Sequence, residues 1–234
     1  MAIGAIKAER AVDLAAASIR RAILSGEFGA QQFLPPERAL ASELGINRLT
    51  LRAAIARLQA EGLVRPEQGN GVRVLEYRDT AGLDILTHLV GAQDTDLVRG
   101  FLELRRVIGA EAVALACERA GEDDIARLEA LAEAQAHESD LDAFARRDLL
   151  FSRETVRAAK NLAMELLLNS VAQLYDAHPD IVRAMQHEVE AVRKSYAVVV
   201  ALIRAKDANR ARRAVRQYLE RLDAGTLERL AKEV

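Results

Sequence analysis

The stretch from Leu34 to Val74, LPPERALASELGINRLTLRAAIARLQAEGLVRPEQGNGVRV, limits what this chain can fold into more than any other. Pro35 and Pro36 fix their own φ and suit only the entrance of a helix, so a first short helix is predicted over Glu37–Leu44, with Ala39, Leu40 and Leu44 on one face. Gly45 stops it. Asn47 is a good N-cap for a second helix, along which Leu51, Ile55 and Leu58 recur at helical spacing until Gly62 ends it. Leu63–Arg65 and Val72–Leu75 alternate apolar and polar residues around Pro66 and Gly69-Asn70-Gly71, which reads as a hairpin. Two helices at a sharp turn followed by a hairpin make a winged helix-turn-helix. Asn47, Arg48 and Thr50 crowd the first turn of the second helix, where such a fold presents side chains to base edges.

In its order of residues this stretch resembles, nearly end to end, the DNA-binding domain of GntR-family transcriptional regulators. The resemblance implies that Arg38, Asn47, Arg48, Thr50 and Arg52 contact DNA and that Gln68 and Gly69 carry the wing to the minor groove. Leu49 stands where the family more often has a small hydroxylated residue, which opens a contact with a thymine methyl group.

The full length of 234 residues is enough for two domains. With 50% hydrophobic and 29% charged residues and a net charge of −2, the composition is that of a soluble globular protein. The charge is uneven: residues 1–78 carry +3 and the remainder −5. The single cysteine, Cys117, excludes an internal disulfide and a cysteine-based zinc site, fits a cytoplasmic protein, and among its small apolar neighbours reads as a buried inert thiol. The N-terminal stretch has no signal-peptide core, and the longest apolar run, Ala197–Ile203, is too short to span a bilayer, so no membrane association is expected. Val12, Ala15, Ala16, Ile19, Ile23 and Leu24 line one stripe of a helix that Gly26 terminates. Arg20 and Arg21 on its polar side are either solvated or in contact with phosphates.

Beyond the wing glycine and proline thin out. Residues 1–78 are assigned to the winged helix-turn-helix domain, 79–95 to a linker with a short helix at Gly82–Val90, and 96–234 to an all-helical bundle of six to seven antiparallel helices. The helices are expected at Asp96–Arg119, Asp123–His137, Asp140–Ala159, Asn161–Tyr175, Pro179–Ala205 and Asp207–Leu230, with Asp123, Asp140, Asn161 and Asp207 as N-cap types. The chain is thus mostly α.

This second half resembles the helical effector domain of the FadR subfamily of GntR regulators, through Glu103-Leu104-Arg105, Asp148-Leu149-Leu150-Phe151, Asn161 and the last helix pair. Many members hold a metal there with one Asp and three His. Here the counterparts are Asp148, Ser152, Tyr196 and Tyr218, three of them poor ligands, so no metal and no cofactor is expected. Members that sense fatty acids carry tyrosines at those two positions, and the resemblance implies a long-chain acyl-CoA or fatty-acid effector, with a small organic acid as the alternative. Leu219, Leu222 and Thr226 depart from the residues that serve acyl-CoA binding in those members. Arg105 is a further effector candidate, because an inward-facing arginine can hold a carboxylate. The plainer reading of Arg105, Asp148, Ser152, Tyr196 and Tyr218 is a structural Asp–Arg or Asp–Tyr pair in a core. The four histidines make no i,i+3 or i,i+4 pair, and surface or capping roles are expected for them. No Ser-His-Asp constellation, paired catalytic carboxylates, phosphate-binding glycine loop or cysteine nucleophile supports an enzyme. The expectation is a homodimer on a pseudo-palindromic double-stranded DNA operator, tuned by a small-molecule effector; an architectural DNA binder without effector is the remaining alternative.

Overall fold

A computed structural model describes residues 3–89, 95–178 and 189–230. The chain divides into two compact units, Met1–Leu86 and Thr87–Val234.

The first unit opens with α1 (Ile3–Leu24), followed by α2 (Glu37–Glu43) and α3 (Arg48–Ala60). The α3 cap forms as its residue type demands: Asn47 Oδ1 accepts the Thr50 backbone N–H at 2.8 Å. Ala16, Ile19 and Ile23 of α1 are buried, as are Leu51, Ala54, Ile55 and Leu58 of α3, and the two helices pack together. Full burial of a leucine such as Leu51 or Leu58 contributes about 1.5–3 kcal/mol, which fixes α3 by its inner face and leaves its outer face in solvent. Arg20 is neither solvated nor free for phosphate. Its Nε and Nη2 donate to both oxygens of Glu61, at 2.7 and 2.5 Å, clamping α1 to the end of α3.

The wing consists of β1 (Val64–Glu67) and β2 (Gly71–Val74), antiparallel with Val64 opposite Val74 and Glu67 opposite Gly71. A third short segment joins it unannounced by any sequence pattern: Leu34 N–H donates to Val72 O at 2.8 Å and Val74 N–H to Gln32 O at 2.8 Å, with a bridge between Phe33 and Arg73. After the wing come α4 (Tyr77–Thr80), a 3-10 turn at Leu83–Ile85 and α5 (Leu86–Leu89). The expected helix at Gly82–Val90 is therefore broken into a 3-10 turn and one α-turn, and Val90 lies outside the described residues. No sequence signal marked α4, which is held by the turn before the wing. Gly62 has φ +76°, and a Cβ there would lie 2.3 Å from Thr80 O, while Thr80 Oγ1 donates to Gly62 O at 2.7 Å.

The second unit contains six long helices among the described residues: α6 (Thr95–Arg119), α7 (Glu122–Ala136), α8 (Leu141–Ala158), α9 (Leu162–Ala177), α10 (Val189–Ala205) and α11 (Ala208–Leu230). The expected start of α10 at Pro179 falls outside the described residues, as does His187. Asp140, Asn161 and Asp207 cap as expected, accepting from Ala143, Ala163 and Arg210 N–H at 2.7, 3.1 and 2.9 Å. Asp123 does not. The helix starts earlier, with Gly121 at the N-cap and its N–H donating to Asp124 Oδ2 at 3.0 Å. α6 and α11 pack along each other, and at Gly109 no Cβ keeps Leu219 away; one would sit 3.2 Å from Leu219 Cδ1. The core gathers Val113, Cys117, Leu128, Phe151, Val200 and Ile203. Cys117 is fully buried, its thiol 3.4 Å from Leu202 O, and burial pushes its pKa up.

Candidate functional site

Two surfaces bring together the residues singled out by the sequence. On the first unit, Arg38 of α2, Arg48 and Leu49 in the first turn of α3, and Gln68 and Gly69 at the wing tip are all exposed. Their neighbours separate free cations from engaged ones. Arg52 donates to both Glu37 oxygens, at 3.0 and 3.2 Å, and Arg57 is held by Asp13. In the wing, Arg73 is held by Glu67 at 2.5 and 3.1 Å and lies over the Phe33 ring, 4.4 Å from its centroid. Among the described residues, neither Arg38 nor Arg48 has an acidic partner within ion-pair distance. Asn47 keeps its amide NH₂ for other use while its oxygen caps α3, and Thr50 is half-buried behind it. Exposed pairs such as Arg52–Glu37 stabilise by about 0–1 kcal/mol, so a phosphate can replace Glu37 at little expense.

The second surface is internal. A cavity of about 210 Å³ lies within the bundle, and Arg105, Asp148, Ser152, Tyr196 and Tyr218 all line it. Its remaining wall is mostly apolar, with Phe101, Ile108, Phe151, Leu167, Val199 and Leu219 among the contributors. Helical spacing explains the convergence. Asp148 and Ser152 are four apart on α8, and Tyr196 and Tyr218 come from the two helices that close the bundle.

The polar groups are paired with one another. Tyr196 Oη donates to Asp148 Oδ1 at 2.6 Å, and its ring packs on Phe151 with centroids 4.4 Å apart. Burial, assisted by the neighbouring Asp148 charge, pushes the Tyr196 phenol well above its ordinary value, so it stays protonated and remains a donor. Burial likewise raises the Asp148 carboxyl, opposed by the Tyr196 hydrogen bond and by Arg105. Arg105 is not a free anion clamp. Its Nη2 is bound to Asp223 Oδ1, and Asp223 also faces Arg106 Nε at 3.4 Å. Gln135 Nε2 donates to Phe144 O at 2.9 Å and approaches Tyr196 Oη at 3.4 Å. The Asp–Tyr pair of the plainer reading is present and borders the cavity; Arg105 lines the cavity too, but its acid is Asp223 rather than Asp148.

These donors do not suit a divalent cation. Asp148 is the one carboxylate among the four matching positions, one of its oxygens is already engaged, and the Tyr196 phenol resists ionisation. Among the described residues no group of three His, Cys, Asp or Glu is placed to hold a metal ion. Two polar residues in or beside the site escaped the sequence reading. Tyr175 lines the cavity with its ring edge-on to Phe101, 6.2 Å between centroids, and Asp223 balances Arg105. Thr226, singled out as a departure, turns its hydroxyl to Leu222 O at 3.0 Å. Asp223 lies 118 residues from Arg105, a distance across which no periodicity could pair them. Of the histidines, His137 ends α7 as its C-cap, and His178 Nε2 lies 2.7 Å from Thr87 O.

Residues 12–74 match the bacterial regulatory proteins of the gntR family, and residues 101–221 match the FCD domain. An HTH-type transcriptional regulator of Mycobacterium tuberculosis is 30% identical over 90% of this chain and 87% of its own length. A fatty acid metabolism regulator protein of Pasteurella multocida is 28% identical over 91% of this chain and 88% of its own. Among solved structures, Lar, which controls expression of the Listeria monocytogenes agr system, superposes with a TM-score of 0.60 at 19% identity, covering 92% of this chain and 95% of that one. No helix among the described residues is long and apolar enough to cross a membrane.

Proposed function

Since the chain belongs to the GntR family of DNA-binding transcriptional regulators, with an FCD domain behind its winged-helix head, we propose that it is a cytoplasmic ligand-responsive regulator whose DNA affinity is set by an acyl ligand in the bundle cavity. Two copies bind the two halves of a pseudo-palindromic operator, Arg48 to guanine and Arg38 and Arg52 to phosphates, with Gln68 and Gly69 at the minor groove. The observation that carries the effector reading is the charge balance of the cavity. Asp148 is matched by the Tyr196 hydroxyl, Asp223 by Arg105 and Arg106, and the rest of the wall is mostly apolar. An uncharged acyl carbonyl can accept from the Ser152 hydroxyl, which lines the cavity outside these pairs, whereas a further carboxylate would meet two buried acids. The name of the Pasteurella relative points the same way.

The size of the cavity supplies the mechanism. At about 210 Å³ it is below the roughly 300–1,000 Å³ of pockets that enclose drug-sized ligands, so a long acyl chain has to part helices, and α6 and α11 meet tightly at Gly109, where an added Cβ would lie 3.2 Å from Leu219 Cδ1. Changed packing then alters how two heads engage one operator. The same small volume favours a second reading, a short-chain organic acid that takes Arg105 away from Asp223. Fluorescence anisotropy on the protein's own promoter fragment, titrated with a long-chain acyl-CoA, a free fatty acid and small carboxylates, separates them. Release by the acyl-CoA supports the first reading and release by a short carboxylate the second; operator affinity indifferent to all of them removes acyl sensing.

A further inference from the structure

Leu49 is 80% exposed, more than any other large apolar side chain among the described residues, and it occupies the second position of α3. A single exposed leucine is ordinary on a protein surface; its setting here is not. Ala53 and Ala56, one and two turns further on, are exposed as well, so a row of methyl groups runs along the outer face of α3. Both arginines next to this row are held by acids from other elements, Arg52 by Glu37 and Arg57 by Asp13. The Asn47 oxygen is spent on the cap. Among the described residues that leaves Arg48 as the unpaired cation of the first turn, with Leu49 beside it.

The edges of base pairs in the major groove offer one apolar group to such a side chain, the C5 methyl of thymine. We propose that Leu49 is a specificity-determining residue that packs on a thymine methyl next to the guanine taken by Arg48. Consecutive helix residues rise 1.5 Å and base pairs 3.4 Å, so the two bases lie within about two base pairs of each other. Each half-site then carries a fixed thymine at a fixed offset from its guanine. The inference rests on the reading of α3 as the helix that enters the groove.

The operator itself can be found in the course of the test. Duplexes selected from a random library by the full chain give the preferred site. Affinities are then measured on that site with single thymines replaced by deoxyuridine, which removes only the methyl group, for the wild type, Leu49→Ala and Leu49→Ser. One thymine per half-site should emerge whose replacement weakens the wild type by about three- to fivefold, the worth of one buried methyl group, while Leu49→Ala is indifferent to it. Leu49→Ser should select sites that keep the guanine and lose the thymine. Equal losses in wild type and Leu49→Ala at every thymine, or selection of the same thymine by Leu49→Ser, would overturn the proposal while leaving the regulator intact. If the wild type enriches no sequence at all, the regulator reading falls and takes this one with it.

Discussion

Asp148 and Tyr196 form one buried unit whose behaviour follows from its environment. The Asp148 carboxyl titrates above its usual range because burial outweighs the help of Tyr196 and Arg105. A group whose pKa rises on folding contributes stability below its unfolded value, and that contribution is lost as pH climbs through the raised value. Asp148→Asn removes the titration, so its melting temperature relative to wild type should improve as pH goes from about 4 toward neutrality; a difference that stays flat would mean that Asp148 does not titrate there. Tyr196→Phe leaves the buried carboxylate without its phenol donor and should cost about 1–3 kcal/mol, seen as a drop of roughly 2–4 °C per kcal/mol. At this scale much was legible in the sequence. Arg105, Asp148, Ser152, Tyr196 and Tyr218 reach one cavity because helical spacing and family resemblance point inward at the same positions. Tyr175 and Asp223 were not legible, since each is defined by a neighbour on a distant helix.

Among the elements, the turn after α3 has least freedom. Gly62 combines a left-handed backbone with a clash at 2.3 Å from Thr80 O for any added Cβ, so Gly62→Ala should destabilise by about 2–4 kcal/mol. Gly45 is also left-handed, at φ +64°, with nothing within 4 Å of an added Cβ, and Gly45→Ala should cost only about 1 kcal/mol. Thermal melts of the two variants check the contrast; equal losses would make the Thr80 contact irrelevant. Helices α1–α3, the wing and the bundle helices announced themselves through caps and apolar stripes. What stayed hidden was backbone pairing without periodicity: the Gln32–Leu34 segment on the wing, and α4 beneath Gly62. Two helix ends were also disguised, because Lys160 and Lys206 take φ +49° and +54° where glycine is usual. Lys160 gains Asp124 at 2.6 Å by doing so.

For the whole molecule, a head of charge +3 on a body of charge −5 cannot hold DNA by bulk attraction. In the proposed function, affinity comes from a few well-placed contacts used twice. A duplex with both half-sites should therefore bind at least about tenfold tighter than one with a single half-site; equal affinities would argue for a reader that works as a single copy. The close fit of Gly62 against Thr80 also says where such a protein can be divided. Anyone transplanting this head onto a different sensor should carry the chain through Leu86, the last residue of the first compact unit. A graft cut after Val74 would keep every residue proposed to read bases and discard the brace under the exit of α3.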